Sequence, residues 1–543
     1  MSFDRSDALR RLEGEPFDLL VVGGGITGAG VALDAASRGF HTALVERRDF
    51  ASGTSSKSSK LVHGGLRYLQ QKEIRLVYEA LAERQVLRKT APHLVRVLPF
   101  LLPVFTKDGL MPRSLARALG TAMWMYDATG GARIGKLHKR ISKEEALRYM
   151  PTLPADRLAS SYVYYDAQAD DARLTLAVAR TASDHGATVA NYVSVVHILK
   201  DGAGRVSGAR VRVDGGGEFD IRAKAVVNAT GVWSDDVRAM DEGKHPASIR
   251  PAKGVHITVP WSLVQNTIAA VVPVPKDRRS VFVVPWGDFT YIGTTDTDYD
   301  GPIDDPVCTP DDIEYLLRAI NFSVTTTITE SDILGTWAGL RPLVRDAKSE
   351  RTSDLSRRHS VRTSSSGLVS VMGGKLTTYR RMAADTVDTV SAMLDRHARS
   401  HTKHLPLRGA EGWQVPSLPT HLVERYGSDA AEVVAVAERD PSLREPLVPG
   451  LPYWQAEAVY ATTNEMARTI DDVLSRRTRA RLLARDASAD AAQSVAALMG
   501  AQLGWSDHER RRQVASYRSS IERERTTAAL PETALDALLH RPS

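Results

Sequence analysis

A chain of 543 residues is too long for one compact core, so two to four domains are expected. Hydrophobic residues at 43% and charged residues at 25% exclude a disordered chain, and the single cysteine, Cys308, excludes an internal disulfide and a cysteine-based metal cluster. The net charge of +6 fits an anionic substrate, an anionic membrane or nucleic acid, but over this length it selects none of them.

The opening residues, MSFDRSDALRRLEGEPFD, hold no apolar core of a secretory signal, so none is expected. No run of about 18 apolar residues occurs, which argues against a spanning helix and leaves attachment to a membrane surface open.

Phe17 to Val22 is an apolar run that ends in glycines. Thr27 to Arg38 reads as an alanine-rich helix stopped by Gly39, and Thr42 to Val45 is a second apolar run ending at Glu46. Together they predict a β-α-β unit. Ile74 to Val95 reads as a helix with a charged face; Leu98 to Phe105 is apolar, but Pro99 and Pro103 exclude a long helix there. Asp171 to His185 reads as a helix with Asp170 as N-cap and Gly186 as stop. Thr188 to Leu199 and Arg205 to Val213 read as strands. Residues 251–335, rich in Val, Ile, Thr and Tyr, predict a mostly antiparallel sheet. His404 to Pro416, with two prolines and two glycines, reads as a linker into a helical C-terminal domain.

The strongest local signal is Gly23-x-Gly25-x-x-Gly28, directly after a strand and opening a helix. Gly23 permits the tight turn, Gly25 lets the backbone approach a pyrophosphate, and Gly28 lets helix and sheet pack closely. The helix N-terminus offers free N–H groups and the positive end of its dipole to phosphates. Glu46, ending the next strand, is placed to accept hydrogen bonds from ribose hydroxyls. A glycine-rich turn without a ligand is the bland alternative. The loop alone leaves FAD and NAD open; a second small-residue turn, Asn228-Ala229-Thr230-Gly231, allows another backbone segment to approach the dinucleotide and favours FAD.

Several further segments stand in order: Thr54-Ser-Ser-Lys-Ser-Ser-Lys-Leu-Val-His-Gly-Gly-Leu-Arg-Tyr-Leu69, Ala169-Asp-Asp-Ala-Arg-Leu174, Lys253-Gly-Val-His256, Ile292-Gly-Thr-Thr-Asp296, Gly339-Leu-Arg-Pro-Leu343 and Gly373-Gly-Lys-Leu-Thr-Thr-Tyr-Arg380. With them the chain resembles the FAD-dependent, quinone-linked glycerol-3-phosphate dehydrogenase family from about residue 16 to 400, and more weakly through Asp471 to Leu482. The resemblance implies an α/β fold: a Rossmann-like FAD-binding domain of the D-amino-acid-oxidase and glutathione-reductase type, a mixed-sheet substrate domain and a helical C-terminal cap. The divisions expected are residues 1–95, 160–250 and 336–402 for FAD, 96–159 and 251–335 for substrate, 403–416 for the linker and 417–543 for the cap.

The same resemblance implies non-covalent FAD, sn-glycerol 3-phosphate as substrate, dihydroxyacetone phosphate as product, a membrane quinone as acceptor, and a peripheral place on the inner face of the cytoplasmic membrane. Cofactor contacts are expected from Gly23, Gly25, Ile26, Thr27 and Gly28, from Glu46 and Arg47, and from Thr54, Ser55, Ser59, Lys60, Leu61, His63 and Gly64. Ala229, Thr230, Gly231, Gly374, Lys375, Leu376 and Thr377 complete that set. His63 is read as structural rather than as a covalent flavin link.

Arg67, Tyr68, Arg341, Lys375 and Arg357 are expected to hold the substrate, since a guanidinium fork suits phosphate oxygens. An internal salt bridge is the plain alternative for Arg67 and Arg341, and the surroundings of Arg357 depart from the family pattern. His256 is expected as the base or hydroxyl-orienting group, with Lys375 and Arg341 completing the catalytic set. No metal ligand is expected.

Arg476, Arg477, Arg479, Arg481 and Arg485 fall on one predicted helix, and Arg510 to Arg512, Arg518, Arg523 and Arg525 cluster near the end. A solvated, salt-bridged face is the first reading, contact with anionic lipid the second, and nucleic acid, for which there is no recognition motif, is not expected. An oxygen-dependent oxidase of the same fold and a non-catalytic FAD-binding scaffold stay as alternatives, and a homo-oligomer stays open.

Overall fold

The computed structural model describes residues 3–65, 73–105, 113–130, 134–277, 279–345 and 359–539, with backbone alone at 113–119 and 122. Arg67, Tyr68 and Arg357 lie outside the described residues.

The Phe17–Val22 strand pairs in parallel with Thr42–Glu46 on one side and with Glu218–Asn228 on the other. The sheet extends to Thr188–Asn191 at one edge and through Val369–Gly373 to His359–Thr363 at the other. Alternation along the first strand explains why both faces are covered. Leu19 and Val21 join the core beneath the helices Ile26–Ser37, Asp171–Asp184 and Tyr379–Met393. Leu20 and Val22 point the other way, into a core shared with Leu12 and the antiparallel strands Val193–Lys200 and Val206–Val213. The Asp171–Asp184 helix starts as expected: the Asp170 carboxylate accepts from the Ala172 and Arg173 N–H groups, both at 3.1 Å.

A second sheet, mixed as expected, joins ten described strands. Its centre is Ile249–Pro260, paired antiparallel with Phe289–Gly293 and with Gly335–Val344. Among the described strands its one parallel pairing is Ala269–Pro273 with Val95–Phe105. Leu61–Val62, Leu158–Ala169 and Gly335–Val344 all belong to this sheet, so the expected divisions at 95, 160 and 336 fall at or beside strands of the substrate sheet. Residues 251–335 also contain a helix, Pro310–Ser323, which the strand-rich composition hides. Its start was written in the chain: Thr309 and Asp312 form a capping box, with Pro310 in the first turn.

The C-terminal domain is helical, but the expected helix through Arg476 to Arg485 is not one helix. A wide turn, Asp472–Arg477, is followed by extended Thr478 and then by the short helices Ala480–Leu483 and Arg485–Asp490. Of the five arginines from 476 to 485, all but the partly exposed Arg481 are buried. The Arg477, Arg479 and Arg485 side chains are at most 2% exposed. Arg476 Nε and Arg477 Nη1 each lie 2.7 Å from Asp49 Oδ2 of the FAD-binding half. Both first readings of this cluster are thereby corrected. The arginines lie in the interior because each meets a carboxylate there, contributed in part by segments more than 300 positions away.

Asp49 takes two of these arginines. Burial pushes its carboxyl up, yet the two guanidinium groups pull it below the usual carboxylate range. Removing one partner of such a cluster leaves a buried charge uncompensated. Arg477→Ala is therefore expected to destabilise the chain by roughly 3–5 kcal/mol in denaturant melts, and the double change Asp49→Leu with Arg477→Met to cost clearly less. Equal losses in the two would show that the charges are solvated.

Candidate functional site

The glycine turn is built as its spacing predicts. Gly23 has φ +110°, and a Cβ there would lie 2.8 Å from the Ala229 carbonyl oxygen, so the two turns touch. A Cβ on Gly28 would lie 1.9 Å from the Gly23 carbonyl oxygen, which accounts for that glycine by protein packing alone. Gly25 differs. Its only neighbour would be the Ser55 hydroxyl at 3.1 Å, so its bareness answers to the space beside it. That space is a cleft lined by Gly23, Gly25, Ile26 and Thr27, by Glu46 and Arg47, by Thr54 and Ser55, by Ala229 to Gly231, and by Gly374 to Leu376.

Glu46 sits at the cleft wall with both oxygens engaged: Oε2 accepts from Gly24 N–H at 2.6 Å and Oε1 from Arg48 N–H at 2.9 Å. Burial raises its pKa against those two bonds. Each carboxylate oxygen keeps a second lone pair for a ribose hydroxyl. Arg47 lies over the Trp233 ring at 4.4 Å and pairs with Asp304, to which Trp233 Nε1 also donates at 2.7 Å. Trp233 and Val193 to Val195 line the cleft and had not been anticipated. Trp233 closely follows the Asn228–Gly231 turn, which was a usable signal; Val193 to Val195 look like any strand.

Residues 54 to 64 run from this cleft to the substrate sheet. Thr54 Oγ1 donates to the Leu340 carbonyl at 2.6 Å, and Ser55 Oγ accepts from Ile26 N–H at 2.9 Å. Ser59 Oγ lies 2.9 Å from His256 Nε2. Lys60 and Leu61 turn their side chains inward: Lys60 pairs with Asp171 at 3.1 Å, and Leu61 packs with Val77, Leu81 and Tyr126. Gly64 closes against Leu81 and Tyr126, its absent Cβ falling 2.6 Å from a Leu81 methyl. His63 is tied by its backbone N–H to Thr377 Oγ1 at 3.2 Å, and its ring meets Phe282 edge-on. Thus Lys60, Leu61 and Gly64 are held by protein contacts, whereas Thr54 and Ser55 face the cleft.

His256 and Arg341 share one face of the sheet. In the antiparallel register Ala252 opposes Arg341, Gly254 opposes Gly339 and His256 opposes Trp337, so alternate residues align. The His256 ring stacks on Trp337, with centroids 4.7 Å apart and planes 6° apart. Arg341 lies across Gly254, where a Cβ would come within 2.6 Å of its Nη2. Asp296 holds Nη1 at 3.0 Å, and Thr294 Oγ1 and the Thr295 carbonyl each hold Nη2 at 3.2 Å. The internal salt bridge and the rigid fork therefore coexist: the guanidinium is half-buried and aimed by its partners. Asp296 stood in the Ile292–Asp296 motif without an assigned role. Burial, with Lys60 and Arg341 adding, holds His256 well below the usual histidine pKa, and its Nδ1 has no hydrogen-bond partner among the described residues.

Residues 18–380 match the family model described as FAD dependent oxidoreductase, and residues 400–510 match the C-terminal domain of alpha-glycerophosphate oxidase. "Glycerol-3-phosphate dehydrogenase 2" of Mycobacterium tuberculosis is 41% identical over 97% of this chain and 92% of its own. The mitochondrial glycerol-3-phosphate dehydrogenase of Homo sapiens is 41% identical over 93% of this chain and 73% of its own. The structure of glycerol-3-phosphate dehydrogenase from Bacillus halodurans, complexed with FAD, superposes with a TM-score of 0.78 at 31% identity, covering 97% of this chain and 98% of that one. The chain belongs to the FAD-dependent glycerol-3-phosphate dehydrogenase family. The cleft of this family member fits FAD by its own geometry: a helix N-terminus, an acid at the second strand end, and a glycine that borders the cleft with no backbone against its missing Cβ.

The two glycines separate packing from binding. Gly28→Ala is expected to cost about 1–3 kcal/mol or more in stability, because its Cβ meets backbone. Gly25→Ala is expected to melt like the parent protein when both are stripped of flavin, yet to purify with most of its flavin missing. Full flavin content in Gly25→Ala would remove that glycine from the pyrophosphate site.

Proposed function

We propose that the protein oxidises sn-glycerol 3-phosphate to dihydroxyacetone phosphate and passes the electrons to a membrane quinone. FAD supplies the acceptor for the hydride leaving C2. The observation that carries this reading is the pairing of an aimed guanidinium, Arg341, with a neutral imidazole, His256, on one sheet face served by the same segment, 54–59, that lines the cleft.

Arg341 is assigned the substrate phosphate, and Asp296 with Thr294 and Thr295 keeps its fork from rotating away. His256 is assigned the hydroxyl proton. A base must be unprotonated before it acts, and this imidazole stays neutral through physiological pH because burial, Lys60 and Arg341 all oppose its cationic form. Its own protonation limb is therefore expected on the acid side of the usual value of about 6.5. Lys375, beside Gly374 at the cleft, is assigned to substrate oxygens or to negative charge on the cofactor. Arg67, Tyr68 and Arg357 keep their substrate roles as proposals drawn from the family resemblance.

Anaerobic addition of glycerol 3-phosphate to the yellow protein should bleach its flavin, and reoxidation by a quinone analogue should outpace reoxidation by oxygen. Rapid peroxide formation would support the oxidase alternative instead, and an unbleached protein the scaffold. In the same assay Arg341→Ala should keep its flavin and lose roughly 30-fold to several thousand-fold in kcat/KM, the equivalent of about 2–5 kcal/mol for a desolvated charge contact. His256→Gln should lose about 10²–10⁴-fold in the rate of bleaching. Normal kcat/KM in Arg341→Ala would end the phosphate assignment.

No helix among the described residues is long and apolar enough to cross a membrane. The surface that supports peripheral attachment is the one carrying exposed Ile74, Tyr78, Trp124, Met125 and Leu137, since most of the arginines at 476–485 are buried and those at 510–525, though mostly exposed, are interleaved with acidic partners such as Glu509 and Glu522. Val77 and Leu81 of the Ile74–Thr90 helix share a core with Met123 and Tyr126 of the Arg113–Ala128 helix, and Arg75 on the first and Lys136 and Arg140 shortly after the second are exposed. An apolar patch with basic neighbours is the pattern of a helix face lying on anionic lipid. Trp124→Ser with Met125→Ser should reduce sedimentation with anionic vesicles several-fold, while Arg510→Gln with Arg512→Gln should leave it unchanged. The reverse ranking would return the membrane face to the C-terminal domain.

A further inference from the structure

A second cavity, of about 360 Å³, shares only Ser52 with the cofactor cleft. All three parts of the molecule wall it: residues 56 and 57 of the cleft segment, residues 304–308 and 336–338 of the substrate domain, and the arginine-rich turns of the C-terminal domain. Six cationic side chains line it against four carboxylates. Five of those cations are arginines with carboxylate partners. Arg523 meets Asp305 at 2.5 Å, Arg481 meets Glu524 at 2.9 Å, Arg476 meets Asp471 at 2.7 Å, Arg479 meets Asp170 at 2.6 Å, and Arg48 reaches Asp304 at 4.0 Å.

Lys57 is the exception. Among the described residues its ammonium has neither an ion pair nor a hydrogen bond, although the side chain lines the cavity. Its backbone is held in place: its N–H donates to the Thr54 carbonyl at 3.1 Å, and a Cβ on Gly339 would lie 2.5 Å from its carbonyl oxygen. Burial lowers the lysine's pKa, with Arg481 and Arg476 adding to the effect against Asp305 and Asp471. A half-buried cation beside two guanidinium groups, with Asp305 and Asp471 near but no carboxylate bonded to it among the described residues, favours an anionic ligand.

We propose that this three-part junction binds a small tetrahedral oxyanion, inorganic phosphate or a phosphate monoester, with Lys57 as its main cationic ligand and Arg481 and Arg476 beside it. The site is separate from Arg341 and does not depend on the substrate assigned there. Occupancy gives the Lys57 ammonium a partner and ties the 54–59 segment to the C-terminal domain. That segment also presents Ser55 to the cofactor helix and Ser59 to His256, so the anion braces both.

Equilibrium dialysis of labelled inorganic phosphate against the flavin-loaded full chain, at fixed ionic strength set with chloride, tests it. Arg341→Ala should still bind phosphate. Adding Lys57→Gln to that background should weaken the remaining binding at least about tenfold, the loss expected for one charge-assisted hydrogen bond, and Lys57→Arg should restore most of it. Flavin content and melting temperature verify that each variant is folded; should Lys57→Gln fail them, Lys57→Met takes its place. The proposal is overturned if Arg341→Ala binds no phosphate, if the double variant binds it as tightly as Arg341→Ala, or if chloride alone displaces it. Were Arg341 not the substrate residue, the parent would show the Lys57 site all the same, so the two assignments fail separately. Glycerol 2-phosphate in place of phosphate then distinguishes a site for monoesters from one for the free ion.

Discussion

Asp171, buried in the first turn of the Asp171–Asp184 helix, accepts hydrogen bonds from the Ser58 N–H at 2.9 Å and hydroxyl at 2.7 Å and from the Lys60 ammonium at 3.1 Å, and it pairs with Arg479. Its neighbour Asp170 caps the helix and takes the same guanidinium. A lone buried carboxylate would be costly; here two cations, a hydroxyl and the positive end of a helix dipole face it. The helix belongs to the FAD-binding half, Ser58 and Lys60 to the segment crossing into the substrate sheet, and Arg479 to the C-terminal domain. One carboxylate thus sets how three regions meet, and neither cation can leave without stranding the other charges.

The consequence reaches the site through Lys60. Burial lowers its pKa to about 8 even beside Asp171. Its ammonium lies 4.7 Å from the centre of the Trp337 ring, which stacks in turn on His256. A cation over the indole and an imidazole stacked on it hold the tryptophan in one orientation. The histidine is thereby confined between an aromatic ring and Ser59, with Arg341 and Lys60 both opposing its protonation. What keeps this imidazole neutral is assembled from residues spread between positions 60 and 341.

That spread explains what was legible in the chain and what was not. Gly23, Gly25, Gly28 and Glu46 lie within one β-α-β unit, where spacing and geometry are locked together by local backbone, and they stand where the pattern put them. Asp170 is legible for the same reason. The arginines at 476–485 carry no comparable mark. Asp49 lies more than 400 positions from Arg476 and Arg477, and no local pattern tells a guanidinium bound for a buried carboxylate from one bound for water. The Pro310–Ser323 helix lies between: its capping box was readable, but the β-rich composition around it outweighed a signal of four residues.

Arginine has three uses in this molecule, and its surroundings decide among them. On the C-terminal Asp507–Thr527 helix, Arg512 is 61% exposed and meets Glu509 one turn away, a pair that solvent screens and that contributes little. Arg477 is 2% exposed and bidentate to Asp49, so its charge is consumed by the fold. Arg341 is between the two, 27% exposed, gripped by Asp296, Thr294 and Thr295 yet open to the site. Only the intermediate case suits recognition. A fully exposed guanidinium loses side-chain entropy when it binds, and a fully buried one has no face to offer. A partly buried fork with its orientation already set avoids both penalties, which is why the pairing of Arg341 with Asp296 supports a binding role.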